Sequence, residues 1–143
     1  MSAIVKAAQS AWEMEGAKAL RLRVFVQEQG VPPELELDEA DAAAFHAVAL
    51  QDGVVVGTGR LLLDSPTEAR IGRMAVEQPL RRQGVGGQVL AFLEGEARRR
   101  GIRRITLHAQ VYVKSFYASH DYREQGEPFL EAGILHVTMV KEL

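Results

Sequence analysis

The 143-residue chain predicts an α+β domain on a mixed, mostly antiparallel sheet, and three observations carry that prediction. Two strand-like runs, FHAVAL and VVVGTGRLLL, flank Gln51-Asp52-Gly53, and an Asp-Gly step between β-prone runs is a strong hairpin signal. A strand–helix–strand unit follows in mid-chain, ARIGRMAV to RRITLHAQ through the helix ending near Arg100, the pattern of a crossover between parallel strands. The element order β-α-β-β-β-α-β-α-β-β contains no linker and no internal repeat, so residues 1–143 read as one domain.

SAIVKAA reads as a short edge strand. AWEMEGAKALRLRVFVQEQ has helical spacing, with Ala17, Leu20, Val24 and Gln27 on one face and Arg21 and Glu28 off it; Gly30 and Pro32-Pro33 stop the helix. PPELELDEADAA is an acidic loop without periodicity. The two hairpin strands come next, and ARIGRMAV, after Ser65-Pro66, is a third antiparallel strand. A helix is predicted from Gly84 to Arg100, its apolar face formed by Val85, Val89, Phe92, Leu93 and Ala97. Gly101 suits the position after its end, and Arg98 to Arg100 suit the negative end of its dipole. RRITLHAQ is a strand, KSFYASHD a short helix, and YREQGEP and ILHVTMVKEL the last two strands.

Bulk properties narrow the function. Hydrophobic residues at 47% and charged residues at 25% fit an ordinary folded domain. A net charge of −2 gives no support to nucleic-acid binding. With no cysteine, disulfides, thiolate-bound zinc and a cysteine nucleophile are excluded. The N-terminal stretch lacks a signal-peptide core and no run approaches membrane-spanning length, so the expected location is cytoplasmic, with no membrane partner.

The stretch PLRRQGVGG places two arginines and three glycines where the long helix must start. The first amides of a helix lack internal partners and carry its positive pole, and glycine lets an anion approach them without meeting a Cβ. This reads as a pyrophosphate cradle over Arg82–Gly87, with Arg81 and Arg82 adding charge; a tight strand-to-helix turn alone is the other reading. The spacing matches neither a P-loop, which needs Gly-Lys, nor the dinucleotide fingerprint, whose third glycine is replaced by Val89.

MAVEQPLRRQGVGG resembles the acetyl-CoA motif of the GNAT superfamily of N-acetyltransferases, a strand followed by [QR]-x-x-G-x-[GA], with Arg81, Gly84 and Gly86 at the fixed positions. FVQEQGVPPELELDEAD, HAVAL, GTGRL, IGRMAV, LHAQ and FLEAGILHVTM extend the resemblance over nearly the whole chain, toward the small single-domain branch of the ElaA and YjcF types. The resemblance implies helices on both faces of the sheet and a splayed strand pair holding acetyl-CoA. It implies that the pantetheine arm pairs with the backbone of Met74, Ala75 and Val76, and that the pyrophosphate rests on the amides of Arg82, Gln83, Gly84, Val85, Gly86 and Gly87. Gln110 stands where many members carry an Asn near the cofactor arm.

Acetyl transfer to an amine needs a neutral nitrogen, a cradle for developing negative charge and a proton for the departing thiolate. Tyr117 matches the tyrosine of the family pattern F-Y-x-x-x-G-[FY], which implies the acid that protonates the thiolate; Asp121 stands at the pattern's Gly. An amphipathic Tyr anchoring the short helix is the other reading of Tyr117. His136, on the last strand, is the candidate base, ahead of His46, His108 and His120, and a structural histidine is the alternative for each. No histidine spacing suggests a metal. Under the family layout Glu28, Asp38, Glu39 and Asp41 surround the acceptor side, where negative walls favour a cationic amine; a solvated loop also accounts for them. Helix-end charge complementarity explains Arg98–Arg100 with Arg103 and Arg104 better than a nucleic-acid patch does. The expected function is an acetyl-CoA-dependent N-acetyltransferase acting on a primary amine, with a non-catalytic acyl-CoA-binding module second. A hydrolase, lacking G-x-S-x-G, comes far behind. A homodimer remains open.

Overall fold

The computed structural model describes residues 3–36 and 38–143; Ser2, read as the start of the first strand, and Leu37, in the acidic loop, lie outside the described residues. Strands β1 (Ile4–Ala7), β2 (Phe45–Gln51), β3 (Val54–Leu63), β4 (Glu68–Val76), β5 (Arg104–Gln110), β6 (Arg123–Glu131) and β7 (Ile134–Glu142) form at the predicted runs. They make one sheet in the order β1-β2-β3-β4-β5-β7-β6, in which only β4 and β5 pair in parallel.

Alternation along β2 and β3 builds two cores. Ala47, Ala49 and Val56 face one side, toward helix α3 (Val85–Arg99) with Val89, Leu90 and Leu93; Val48 and Val55 face the other, toward helix α1 (Ala11–Arg21) with Ala17 and Leu20. Helices therefore cover both faces, as the resemblance implied. Both two-residue turns have the mirror-image geometry that suits strand twist, with Asp52 and Gly53 at φ 52° and 76°, and Ala132 and Gly133 at 52° and 78°.

Three predictions need correction. The helix read over 11–29 is α-helical only to Arg21; Leu22–Glu28 is wound as a π-helix capped by Gln29, and Gly30 follows with a left-handed φ of 76° that is free of Cβ strain. Its start is a capping box: Ser10 Oγ accepts from the Glu13 amide, and Glu13 accepts from the amides of Gln9 and Ser10. The acidic loop holds the single turn α2 (Pro33–Glu36) and a 3₁₀ turn at Glu39–Ala42. Strand β6 runs on to Glu131 rather than stopping near Pro128, because a bulge between Gln125 and Phe129, with Gly126 at φ 81°, absorbs the proline on this edge strand.

Candidate active site

Strands β4 and β5 pair over three residue pairs only, Glu68↔Arg104, Ala69↔Ile105 and Arg70↔Thr106. Past that point β4 stays in its ladder with β3 up to Val76↔Gly57, and β5 stays with β7 up to Gln110↔His136. Two strands that keep their outer partners but part from each other expose backbone groups along the inner edges of a wedge. A bulge helps β4 turn away: Arg73 and Met74 together oppose Gly59, with Arg73 at φ 53°. A cleft of about 1440 Å³ occupies the wedge.

Met74, Ala75, Val76, Arg81, Arg82, Gly84, Gly86, Gly87, Gln110, Tyr117 and His136 line this cleft, so the geometry gathers most of the sequence-predicted site. Gln83 and Val85 do not line it with their side chains. Gln83 folds back to donate to the Pro79 carbonyl at 3.3 Å, and Val85 is buried in the core.

At the open end of the wedge the chain enters α3 through two left-handed residues, Arg82 (φ 65°) and Gly84 (φ 88°). The first helical bond runs from the Gln88 amide to the Gly84 carbonyl, 3.0 Å, so the amides of Val85, Gly86 and Gly87 precede it at the positive end of the helix. A Cβ on Gly86 would meet Phe116 Cζ at 3.4 Å, and one on Gly87 would meet the His120 ring at 3.2 Å. The glycines thus divide the work: Gly84 supplies the turn, while Gly86 and Gly87 admit helix α4 (Lys114–Ala118) and its flank against the α3 start. The Arg81 guanidinium is already committed, donating from Nε to the Val76 carbonyl at 2.9 Å and bidentately to Glu28 at 2.9 and 3.0 Å. Arg82 is left as the exposed cation at the helix start.

Tyr117 is buried beneath Phe116 and Tyr122, edge to face with each at 5.0 and 5.9 Å between ring centres. Burial alone pushes its phenol pKa up, so it stays protonated. The departure at Asp121 leaves the turn intact: Asp121 adopts the left-handed conformation of a glycine, φ 73°, and the Tyr122 amide bonds back to the Tyr117 carbonyl at 3.1 Å. His136 is buried on the opposite wall. Its Nδ1 lies 2.7 Å from the Ile134 carbonyl, which only accepts, so Nδ1 carries a proton and Nε2 is the nitrogen that bears the lone pair in the neutral ring. His46 is structural, its Nε2 donating to the Asp41 carbonyl at 2.9 Å. His108 lies beside Glu131, and His120 beside Gly87.

The acidic acceptor wall is not a wall of free charge. Arg21, 1% exposed, donates to Glu36 and Asp41; Arg60 donates to Asp38 and Asp41; Arg73 reaches Glu36 and Asp38. Three guanidiniums and three carboxylates thus neutralise one another, and Glu28 is held by Arg81. Glu39 is exposed away from the cleft. Hydrogen bonding from Arg60, with the charges of Arg60 and Arg73, holds Asp38 down at about 2; in Glu36 burial outweighs its arginines and raises the pKa.

Sequence reasoning missed the polar contacts that bridge the two arms of the wedge. Gln29, at the end of the π-helix, exchanges amide hydrogen bonds with Gln110 at 2.8 and 3.4 Å, while Glu28 beside it reaches Arg81. Nothing in a linear pattern links residues 81 positions apart. Glu131 was missed as well, although it directly precedes the Ala132-Gly133 turn. No helix among the described residues is long and apolar enough to cross a membrane.

Comparison with known proteins agrees with this geometry. A family model described as an acetyltransferase (GNAT) domain matches residues 8–143. The Bacillus subtilis protein described as uncharacterized N-acetyltransferase YjcF is 36% identical over 131 residues, covering 91% of this chain and 93% of that protein. The crystal structure of Escherichia coli ElaA superposes with a TM-score of 0.87 at 25% identity, covering 98% of this chain and 99% of that one. An Elizabethkingia anophelis GNAT family acetyltransferase, solved with acetyl-CoA bound, shares the fold at a TM-score of 0.78 and 18% identity, covering 99% of each chain.

Proposed function

The chain belongs to the acetyltransferase (GNAT) domain family, and from that premise we propose that it is an N-acetyltransferase carrying the acetyl group of acetyl-CoA to a primary amine by direct attack. The observation that carries this reading is the wedge between β4 and β5, with the α3 amides that precede the first helical bond at its open end and Tyr117 and His136 lining it. The Elizabethkingia relative was solved with acetyl-CoA, which favours the same cosubstrate here.

The residues present fit that cosubstrate. The α3 amides of Val85–Gly87 and the Arg82 side chain would hold the pyrophosphate, and the backbone of Met74–Val76 would pair with the amide-bearing arm as an added strand. Gln110, with its partner Gln29, lies on the other arm of the wedge. Acetyl-CoA supplies an acetyl group activated as a thioester. His136 Nε2 takes a proton from the acceptor nitrogen, leaving its lone pair free to attack. Tyr117 gives a proton to the departing sulfur. The location this reading implies is cytoplasmic.

An acceptor screen that follows free thiol tests the reading, preceded by thermal shift with acetyl-CoA, NAD and ATP at equal concentration. Acetyl-CoA should raise the Tm by mass action and NAD should not, and at least one amine should drive thiol release. Stabilisation by acetyl-CoA with no thiol release from any amine would identify a non-catalytic acyl-CoA-binding module instead.

A further inference from the structure

The cleft is electrically polar. Among the described residues that line it, Glu36, Asp38, Arg60, Arg70, Arg73 and Arg81 are each matched by a charge of opposite sign. Two charged side chains of the lining remain, among the described residues, without a guanidinium, ammonium or carboxylate partner, Glu131 accepting a hydrogen bond only from His108 Nδ1 at 3.2 Å. Arg82 stands at the α3 start, and Glu131 stands at the end of β6, where its neighbours are the imidazoles of His108 and His136. An anion is therefore favoured at one end of the cleft and a cation at the other.

We propose that Glu131 is the carboxylate that captures the acceptor as an ammonium ion, beside the imidazole that then deprotonates it. This rests on the acetyl-transfer reading above and names the acceptor class: an alkylammonium with an apolar body. The register supports the placement. Glu131 pairs with Ile134 and Phe129 pairs with His136, so the four side chains share one face, and Gln110 joins it as the partner of His136 across β5. His136 is 8% exposed; the Phe129 ring stacks over its imidazole at 6.0 Å, and the Ile134 carbonyl fixes its tautomer. Its Nε2 has no hydrogen-bond partner among the described residues and lies 3.9 Å from the Glu131 carboxylate. That gap is too long for a hydrogen bond. An ammonium can lie against both groups, giving one N–H to each.

The two groups then act in sequence. Glu131 neutralises the incoming cation without taking its proton. One N–H bond of the ammonium breaks as Nε2–H forms, the electron pair stays on nitrogen, and the resulting imidazolium is stabilised by the Glu131 charge. Nitrogen then bonds to the acyl carbon as the C–S bond breaks; the C–S electron pair leaves on sulfur, and the second proton that nitrogen sheds in becoming an amide ends on that sulfur through the Tyr117 hydroxyl. Ile134 and the exposed Leu35 supply the apolar lining that receives the rest of the acceptor.

The test compares 2-phenylethylammonium with its neutral counterpart 2-phenylethanol, binding each by calorimetry to the CoA-loaded protein, in the native chain and in Glu131→Gln. The native protein should bind the cation at least tenfold more tightly than the alcohol. Glu131→Gln should remove that preference while leaving the alcohol and acetyl-CoA affinities within twofold. In turnover Glu131→Gln should lower kcat/KM for 2-phenylethylamine at least tenfold. The proposal is overturned if the native chain shows no preference for the cation, or if Glu131→Gln weakens cation and alcohol equally. If the preference behaves as stated but no amine is acetylated, Glu131 is still the cation site and the acetyl-transfer reading is what fails.

Discussion

Replacing Tyr117 by Phe removes one oxygen from the wall of the cleft and keeps the ring between Phe116 and Tyr122. Burial pushes the phenol pKa above its ordinary value, whereas a free thiol ionises near about 8.5. Complete proton transfer to a thiolate is therefore uphill, and the hydroxyl helps by donating a hydrogen bond to sulfur as charge builds there. A hydrogen bond to a charged group is worth about 1.5–3 kcal/mol, and each ~1.36 kcal/mol of barrier is tenfold in rate. Tyr117→Phe should then lower kcat about 10- to 160-fold by the same constants. The dissociation constant for acetyl-CoA should stay within about threefold, because the ring packing survives. Rapid-quench measurement of thiol release at saturating amine isolates the chemical step. A Phe variant within twofold of the native rate, with chemistry limiting, would refute the role of Tyr117 as acid. A matching loss of acetyl-CoA affinity would reassign the residue to packing.

Gly86→Val should weaken acetyl-CoA binding at least tenfold by calorimetry, since its Cβ already lies 3.4 Å from Phe116 and the branch must displace α4 or enter the cradle; unchanged affinity would move the anion site elsewhere. Asp121→Gly should leave kcat within twofold and change the Tm by no more than about 3 °C, because relief of left-handed strain, about 1 kcal/mol, is offset by the greater chain entropy of glycine; a large fall in kcat would show that Asp121 acts in the site. On acidification the Asp38 carboxylate is held at about 2, below the unfolded-chain value near 3.9, so its stabilisation is complete above about pH 5 and drains away toward pH 2. Asp41, also lowered, adds to this loss: its burial opposes ionisation, but bonds and charge from Arg21 and Arg60 outweigh it; the raised Glu36 pKa works the other way. Urea midpoints at pH 6 and pH 3 should therefore converge in Asp38→Asn relative to the native chain, and an identical pH dependence in the variant would contradict this account.

The strands and the α3 start were legible because their signals are local. Val48 and Ala49 alternate between two cores, and Asp52-Gly53 dictates a turn whatever surrounds it. The glycine turn was legible too, since Gly84, Gly86 and Gly87 sit within one helical turn. The π-helix over Leu22–Glu28 was not, because its apolar spacing is that of an α-helix, and its contacts are with residues far along the chain, Glu28 with Arg81 and Arg23 with Glu77. The acidic loop misled for a similar reason. Glu36, Asp38 and Asp41 read as free negative charge until the fold brings up Arg21 from α1, Arg60 from β3 and Arg73 from the β4 bulge. Glu131 passed unnoticed because a turn-flanking carboxylate is ordinary in sequence and becomes distinctive only once every other carboxylate in the cleft has an arginine.

The short seam between β4 and β5 has a mechanical consequence. The sheet is two leaves, β1 to β4 and β5 with β7 and β6, stitched edge to edge by three residue pairs at one margin. Amides along the unstitched margin owe their protection from solvent hydrogen exchange to whatever lies between the leaves, so a ligand seated there slows exchange on both at once and makes them open as one unit. Part of its binding energy goes into fixing the angle between the leaves. Substitutions at the stitches, Arg70 or Thr106, would thus tune affinity for an anion bound at the far end of the wedge, without touching it.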